Sequence, residues 1–121
     1  MTWALFQAIT LLASLGLTDL PRVEIVDRPP VSQRGRVTQA FVRWADGDQT
    51  VYVLATSRAY RTAQRGDARP LAALIAHERM HLVNGPDEHP AYDEQLRVLR
   101  EFRVGRSWIE RTKTARTREF Q

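Results

Sequence analysis

His77-Glu78-Arg79-Met80-His81 reads HExxH. On an α-helix, residues four apart lie one turn apart on the same face, so the two imidazoles can converge on one point. Two ring nitrogens so placed suit a tetrahedral Zn²⁺, which takes nitrogen ligands at ~2.0–2.1 Å. The carboxylate of Glu78, next to the first His, can serve as a general base toward a water at the metal. The pattern thus names a chemistry, metal-assisted hydrolysis, and a set of roles.

The helix that must carry these groups is Leu71 to Val83 (LAALIAHERMHLV), with Pro70 in its first turn and Asn84-Gly85-Pro86 as its stop. Nine of its thirteen residues are apolar and surround it, so it belongs in the core. The exceptions are the residues of the motif and Arg79, which is expected to face outward or pair with an acid. A buried carboxylate and two buried imidazoles are costly unless a partner satisfies them, and a metal would satisfy all three. All three histidines of the chain fall between positions 77 and 89. A catalytic zinc usually takes a third protein ligand. The Gly85 turn folds the chain back over the helix, which leaves Asp87, Glu88, His89, Asp93 and Glu94 as candidates.

HERMH, then Gly85-Pro86-Asp87-Glu88, then Ala91-Tyr92-Asp93-Glu94-Gln95, resembles small bacterial and phage zincin-like metallopeptidases. Their pattern is HExxH, a short glycine-containing turn, and E-x-x-A-Y-x-x-Q. The resemblance implies Glu88 as the third ligand in a His77, His81, Glu88 site holding one Zn²⁺, as in gluzincins. It also implies Glu78 as the catalytic base and Tyr92 as a hydroxyl donor to the oxyanion. An edge strand of the sheet would bind the peptide substrate. The motif covers about 20 residues, and the element order extends it more loosely. Aligned instead on the metzincin pattern HExxHxxGxxD, Asp87 becomes the third ligand, with Asn84 in the glycine position. The E-x-x-A-Y-x-x-Q element favours Glu88. Because Pro90 disfavours helical dihedrals at His89, Glu88 is expected just ahead of the next helix.

Around this centre, Trp3 to Leu15 reads as a buried first helix stopping near Gly16. Pro21–Asp27, Val37–Trp44 and Thr50–Ala55 alternate as strands, the last two as a hairpin about Asp46-Gly47-Asp48. Arg28 to Gly35 reads as a loop. Ser57 caps a short helix over Arg58–Arg65, and a further helix runs from Pro90 to Val104 with Gly105 as its stop. The fold class is α+β: a minimal zincin-like fold with about three strands, antiparallel or mixed, packed on the HExxH helix and a C-terminal helix. Residues 1–105 form one domain and 106–121 a basic tail.

The chain has 121 residues, net charge +4 and no cysteine. Thiolate zinc sites and disulfides are excluded, so a metal must be held by His, Asp or Glu. The lack of cysteine fits a cytoplasmic protein. The apolar N-terminus is shorter than the ~20 residues of a membrane span and lacks a basic flank. Residues 97–121 carry eight basic residues against three acids, a charge that can attract a polyanion. The expected function is a zinc-dependent metallopeptidase acting on a protein or peptide. The alternatives are a non-catalytic metal-binding module and a nucleic-acid-associated protein using its basic end.

Overall fold

Nine consecutive residues of one helix, Pro70 to Glu78, and then His81 are withdrawn from solvent together or nearly so, and the rest of the molecule is arranged around them. The computed structural model describes residues 2–28, 39–43, 47 and 49–119. In chain order the elements are α1 (Trp3–Ser14), β1 (Arg22–Val26), β2 (Ala40–Val42), β3 (Thr50–Leu54), α2 (Arg58–Gln64), α3 (Arg69–Asn84), α4 (Glu88–Glu101) and α5 (Arg106–Glu119).

The fold is α+β with one mixed sheet of three strands in the order β1-β3-β2. β1 runs parallel to β3, with Val23 opposite Val51, and β2 runs antiparallel to it, with Phe41 opposite Tyr52. The central strand is short and rich in Val, and Val51 and Val53 are fully buried. β2 is shorter than the expected strand at 37–44. Residues 37, 38 and 44 lie outside the described residues, as do 29–35 of the expected loop and Asp46 and Asp48 of the expected turn. Gly47 is described and takes the left-handed conformation (φ 66°) that such a turn needs.

α3 packs on α1, α2, β2, β3 and, most extensively, α4. This explains why it is apolar on every side. Leu71 and Ile75 have no exposure, and each such burial contributes about 1.5–3 kcal/mol. α1 buries only one stripe, Ala4, Leu5, Ala8 and Leu12. Trp3 and Phe6, expected inside, stack on each other at the surface.

Three boundaries around the site differ from the sequence reading. α4 begins at Glu88, not Pro90, so Glu88 and His89 are both helical. Asp87 caps the helix by accepting the His89 N–H at 2.9 Å, and Pro90 sits in the first turn, where a missing N–H breaks no intrahelical bond. Residues 106–119, expected as a tail, form α5, which packs on α4. Trp108, Ile109 and the buried Thr112 give that basic segment an inward face. α4 ends at Glu101 rather than Val104, with Arg103 in the left-handed conformation (φ 54°) and Arg69 donating to the Phe102 carbonyl at 3.1 Å.

Candidate metal centre

The motif residues sit on the α3 face that meets α4. His77, Glu78 and His81 are 4%, 6% and 8% exposed, so all three functional groups are held in the interior. Across from them, Glu88, Tyr92 and Gln95 occupy positions i, i+4 and i+7 of α4 and therefore share one face. The Gly85 turn (φ 88°), which donates its N–H to the His81 carbonyl, swings α4 back so that this face lies over the motif.

Each imidazole is held by its Nδ1. His77 Nδ1 lies 2.8 Å from Gln95 Oε1, and His81 Nδ1 lies 3.0 Å from the Gly85 carbonyl. A carbonyl only accepts, and assigning Gln95 Oε1 toward His77 likewise puts the proton on Nδ1. Nε2 of each ring then points inward as a lone pair. Both meet Oε1 of Glu88, which is 3.3 Å from His77 Nε2 and in closer contact with His81 Nε2. The three ligand atoms lie within 4.8 Å of one another. Tetrahedral ligands at ~2.0–2.1 Å from zinc stand ~3.3 Å apart, which the His77–Glu88 separation matches.

Glu88 Oε1 is buried without a hydrogen-bond donor once both ring protons are on Nδ1. Three acceptors facing one another repel unless a proton or a cation sits between them. With a proton on Nε2, His81 pairs with Glu88. Burial opposes that charge on His81, but the Glu88 carboxylate, the Gly85 carbonyl and the Glu78 charge outweigh it and push His81 up to about 9. Burial likewise opposes the Glu88 charge, but both imidazoles outweigh it and hold Glu88 down at about 2. A metal cation satisfies the same three atoms, and the donor set of two imidazoles and a carboxylate suits zinc.

Glu78 reaches to 4.0 Å from His77 Nε2, beside the ligand atoms. Burial pushes its carboxyl above the usual range, against the pull of His77 and His81. The Tyr92 ring stands edge-on to the His77 ring at 4.5 Å between centroids, so it packs against one of the three convergent residues and lines the same cleft. That cleft, of about 1820 Å³, opens over the site between β2, α2, α4 and α5.

The other candidates are placed elsewhere. Asp87 is exposed and spends its carboxylate on the helix cap. Asp93 pairs with Arg116 at 3.2 Å, and Arg116 also contacts His89. Glu94 pairs with Arg97. Arg79 pairs with Asp19 at 2.8 Å, as expected for a residue outside the chemistry. Asp87→Ala should therefore cost about 1 kcal/mol of stability, the usual worth of such a cap, while zinc content by mass spectrometry stays unchanged.

Sequence reasoning missed the task of Gln95. Its signal was the seven-residue spacing from Glu88, which puts it two turns along the same face. Groups that orient metal-bound His typically carry 10–100-fold in metal affinity. Gln95→Ala is expected to weaken zinc binding by about that factor in a competitive chelator titration, with His77 retained.

Comparison with protein-family models, with curated proteins and with solved structures finds no match to this chain. Among the described residues no helix is long and apolar enough to cross a membrane.

Proposed function

We propose that the protein is a zinc-dependent metallopeptidase with one Zn²⁺ held by His77, His81 and Glu88. The observation that carries the reading is the convergence of three buried lone-pair atoms from α3 and α4 with Glu78 beside them. A metal bound there supplies a Lewis acid for a carbonyl and an activated water.

The chain's own residues do the rest. Gln95 and the Gly85 carbonyl fix the two rings. Glu78 takes the proton of the attacking water and delivers it to the leaving amine. A carboxyl raised by burial is suited to holding that proton between the two steps. Tyr92 packs against His77, and its hydroxyl is assigned the oxyanion. Among the described residues β2 is an edge strand lining the cleft, where an extended peptide can add to the sheet.

A metal-holding module without catalysis would need the same three ligands but not Glu78. A buried acid outside the ligand set costs stability, and this favours the catalytic reading. The test is zinc content together with hydrolysis of an unbiased peptide library. Full zinc occupancy with no bond cut would overturn the peptidase and leave the metal site.

A further inference from the structure

Among the described residues, five arginines line the cleft above the site: Arg58, Arg61 and Arg65 from α2 and its end, and Arg111 and Arg118 from α5. On α2 they recur at i, i+3 and i+7, and on α5 at i and i+7, so each set forms one face. α2 borders α3 and α5 borders α4, so the two rows flank the helix pair that holds the metal centre. All five are exposed.

Their shared cleft, and not their lack of a carboxylate, sets them apart: among the described residues Arg28, Arg43, Arg100, Arg103 and Arg106 likewise bridge to none. Arg22, Arg69, Arg79, Arg97, Lys113 and Arg116 each bridge to a carboxylate. None of those six lines the cleft. The five that do line it have no carboxylate partner among the described residues, and Arg111 lies over the Trp108 ring at 5.5 Å. Among the described residues the only acids in the lining are Glu78 and Glu88, which the proposed metal centre uses. Five cations therefore line one cleft whose described acids are confined to the metal centre. Low-dielectric walls carrying one sign of charge focus the field and concentrate ligands of opposite sign.

We propose that the cleft selects acidic peptide segments, with Asp and Glu side chains flanking the scissile bond and held by the arginines of α2 and α5. The inference rests on the metallopeptidase reading and names its substrate class. A peptide is favoured over a nucleic acid because the cleft contains an edge strand and a hydrolytic centre suited to an amide.

The experiment uses the full-length, zinc-loaded chain carrying Glu78→Gln, so that bound peptide is not turned over. Fluorescence anisotropy compares a labelled Glu/Asp-rich peptide of about twelve residues, its Gln/Asn counterpart and a single-stranded DNA of similar charge. The acidic peptide should bind at least about tenfold more tightly than the neutral one, the gain expected from several weak exposed pairs. That gain should vanish between ~50 mM and ~300 mM salt as screening shortens to within a few ångströms. Arg61→Gln with Arg111→Gln should reduce it several-fold and leave the neutral peptide unchanged, whereas the Lys pair at the same positions should retain most of it.

Equal binding of acidic and neutral peptides overturns the proposal. So does tighter binding of the DNA, which would assign the cleft to nucleic acid. If wild type cuts library peptides with no acidic preference, this inference fails and the peptidase stands. If acidic peptide binds as stated and wild type cuts nothing, the peptidase fails and the acidic-ligand cleft stands.

Discussion

Replacing Glu78 with Gln should leave zinc at about one per chain and lower kcat/KM on any cleaved peptide by about 10²–10⁴-fold, the usual worth of a positioned general base. Glutamine keeps the size and the hydrogen-bonding shape of the side chain but has no proton to exchange. Glu78 is not among the three convergent ligand atoms, so the metal should be retained. The same substitution should raise the thermal stability of the metal-free protein at neutral pH. Burial lifts the Glu78 carboxyl above its usual range, so its folded value exceeds its unfolded one. Its contribution to stability is then fully present at low pH and is lost as pH rises through the folded value. At pH 7 an ionised Glu78 is a cost that Gln removes. Lost activity with a higher Tm is the signature of a group kept for function against stability. Calorimetry and a steady-state assay on one preparation read both. Unchanged turnover would remove Glu78 from the reaction.

How far the centre could be read from residues alone depends on which interactions are local. The HExxH face of α3 is a matter of helical period, and the apolar flanks placed it inside before any fold was known. The strands and the Ser57 cap were likewise legible, because period-two alternation and capping are local signals. At the Gly85 turn local rules gave a divided answer. Proline at position 90 argued against helix at His89, but the first turn of a helix makes no demand on that N–H, and Asp87 capped the helix earlier. This shift makes Asp87 a cap and puts Glu88 on the inward face, and it separates the two rival ligands. The basic end was misread for a different reason. Its composition is that of a solvated tail, and the three inward groups Trp108, Ile109 and Thr112 are a narrow stripe among seven charges. The clustering of arginines from α2 and α5 over one cleft was not legible, since it depends on how four helices pack side by side.

Zinc should raise the Tm of the wild-type chain by roughly 12–25 °C when free metal exceeds Kd a thousandfold, since that excess is worth about 4 kcal/mol and each kcal/mol shifts a domain of this size by several degrees. Glu88→Ala and His81→Ala should each abolish most of that gain and drop zinc content well below one per chain. The gain should also depend on pH in a direction that the metal-free pair dictates. His81 is pushed from 6.5 up to about 9 when folded, so its pairing with Glu88 supports the metal-free protein fully below about pH 6.5. That support is lost as pH rises through about 9. Glu88 is held from 4.5 down to about 2, so its share is present above about pH 4.5 and is lost only as pH falls through about 2. Across the neutral range the metal-free centre is therefore a His81–Glu88 ion pair, and zinc must displace the His81 proton to reach its lone pair. The apparent affinity should rise by about tenfold per pH unit from pH 6.5 and level off near 9. A flat profile would mean that His81 holds no proton when metal arrives, or that it is not a ligand. Glu88→Ala separates these cases: it removes the carboxylate that retains the proton, so the remaining two-histidine site should bind weakly and lose its pH dependence at a lower pH. On the proposed site, proton and metal would compete for one point between α3 and α4, and titrating one against the other would measure how strongly the fold has built that point.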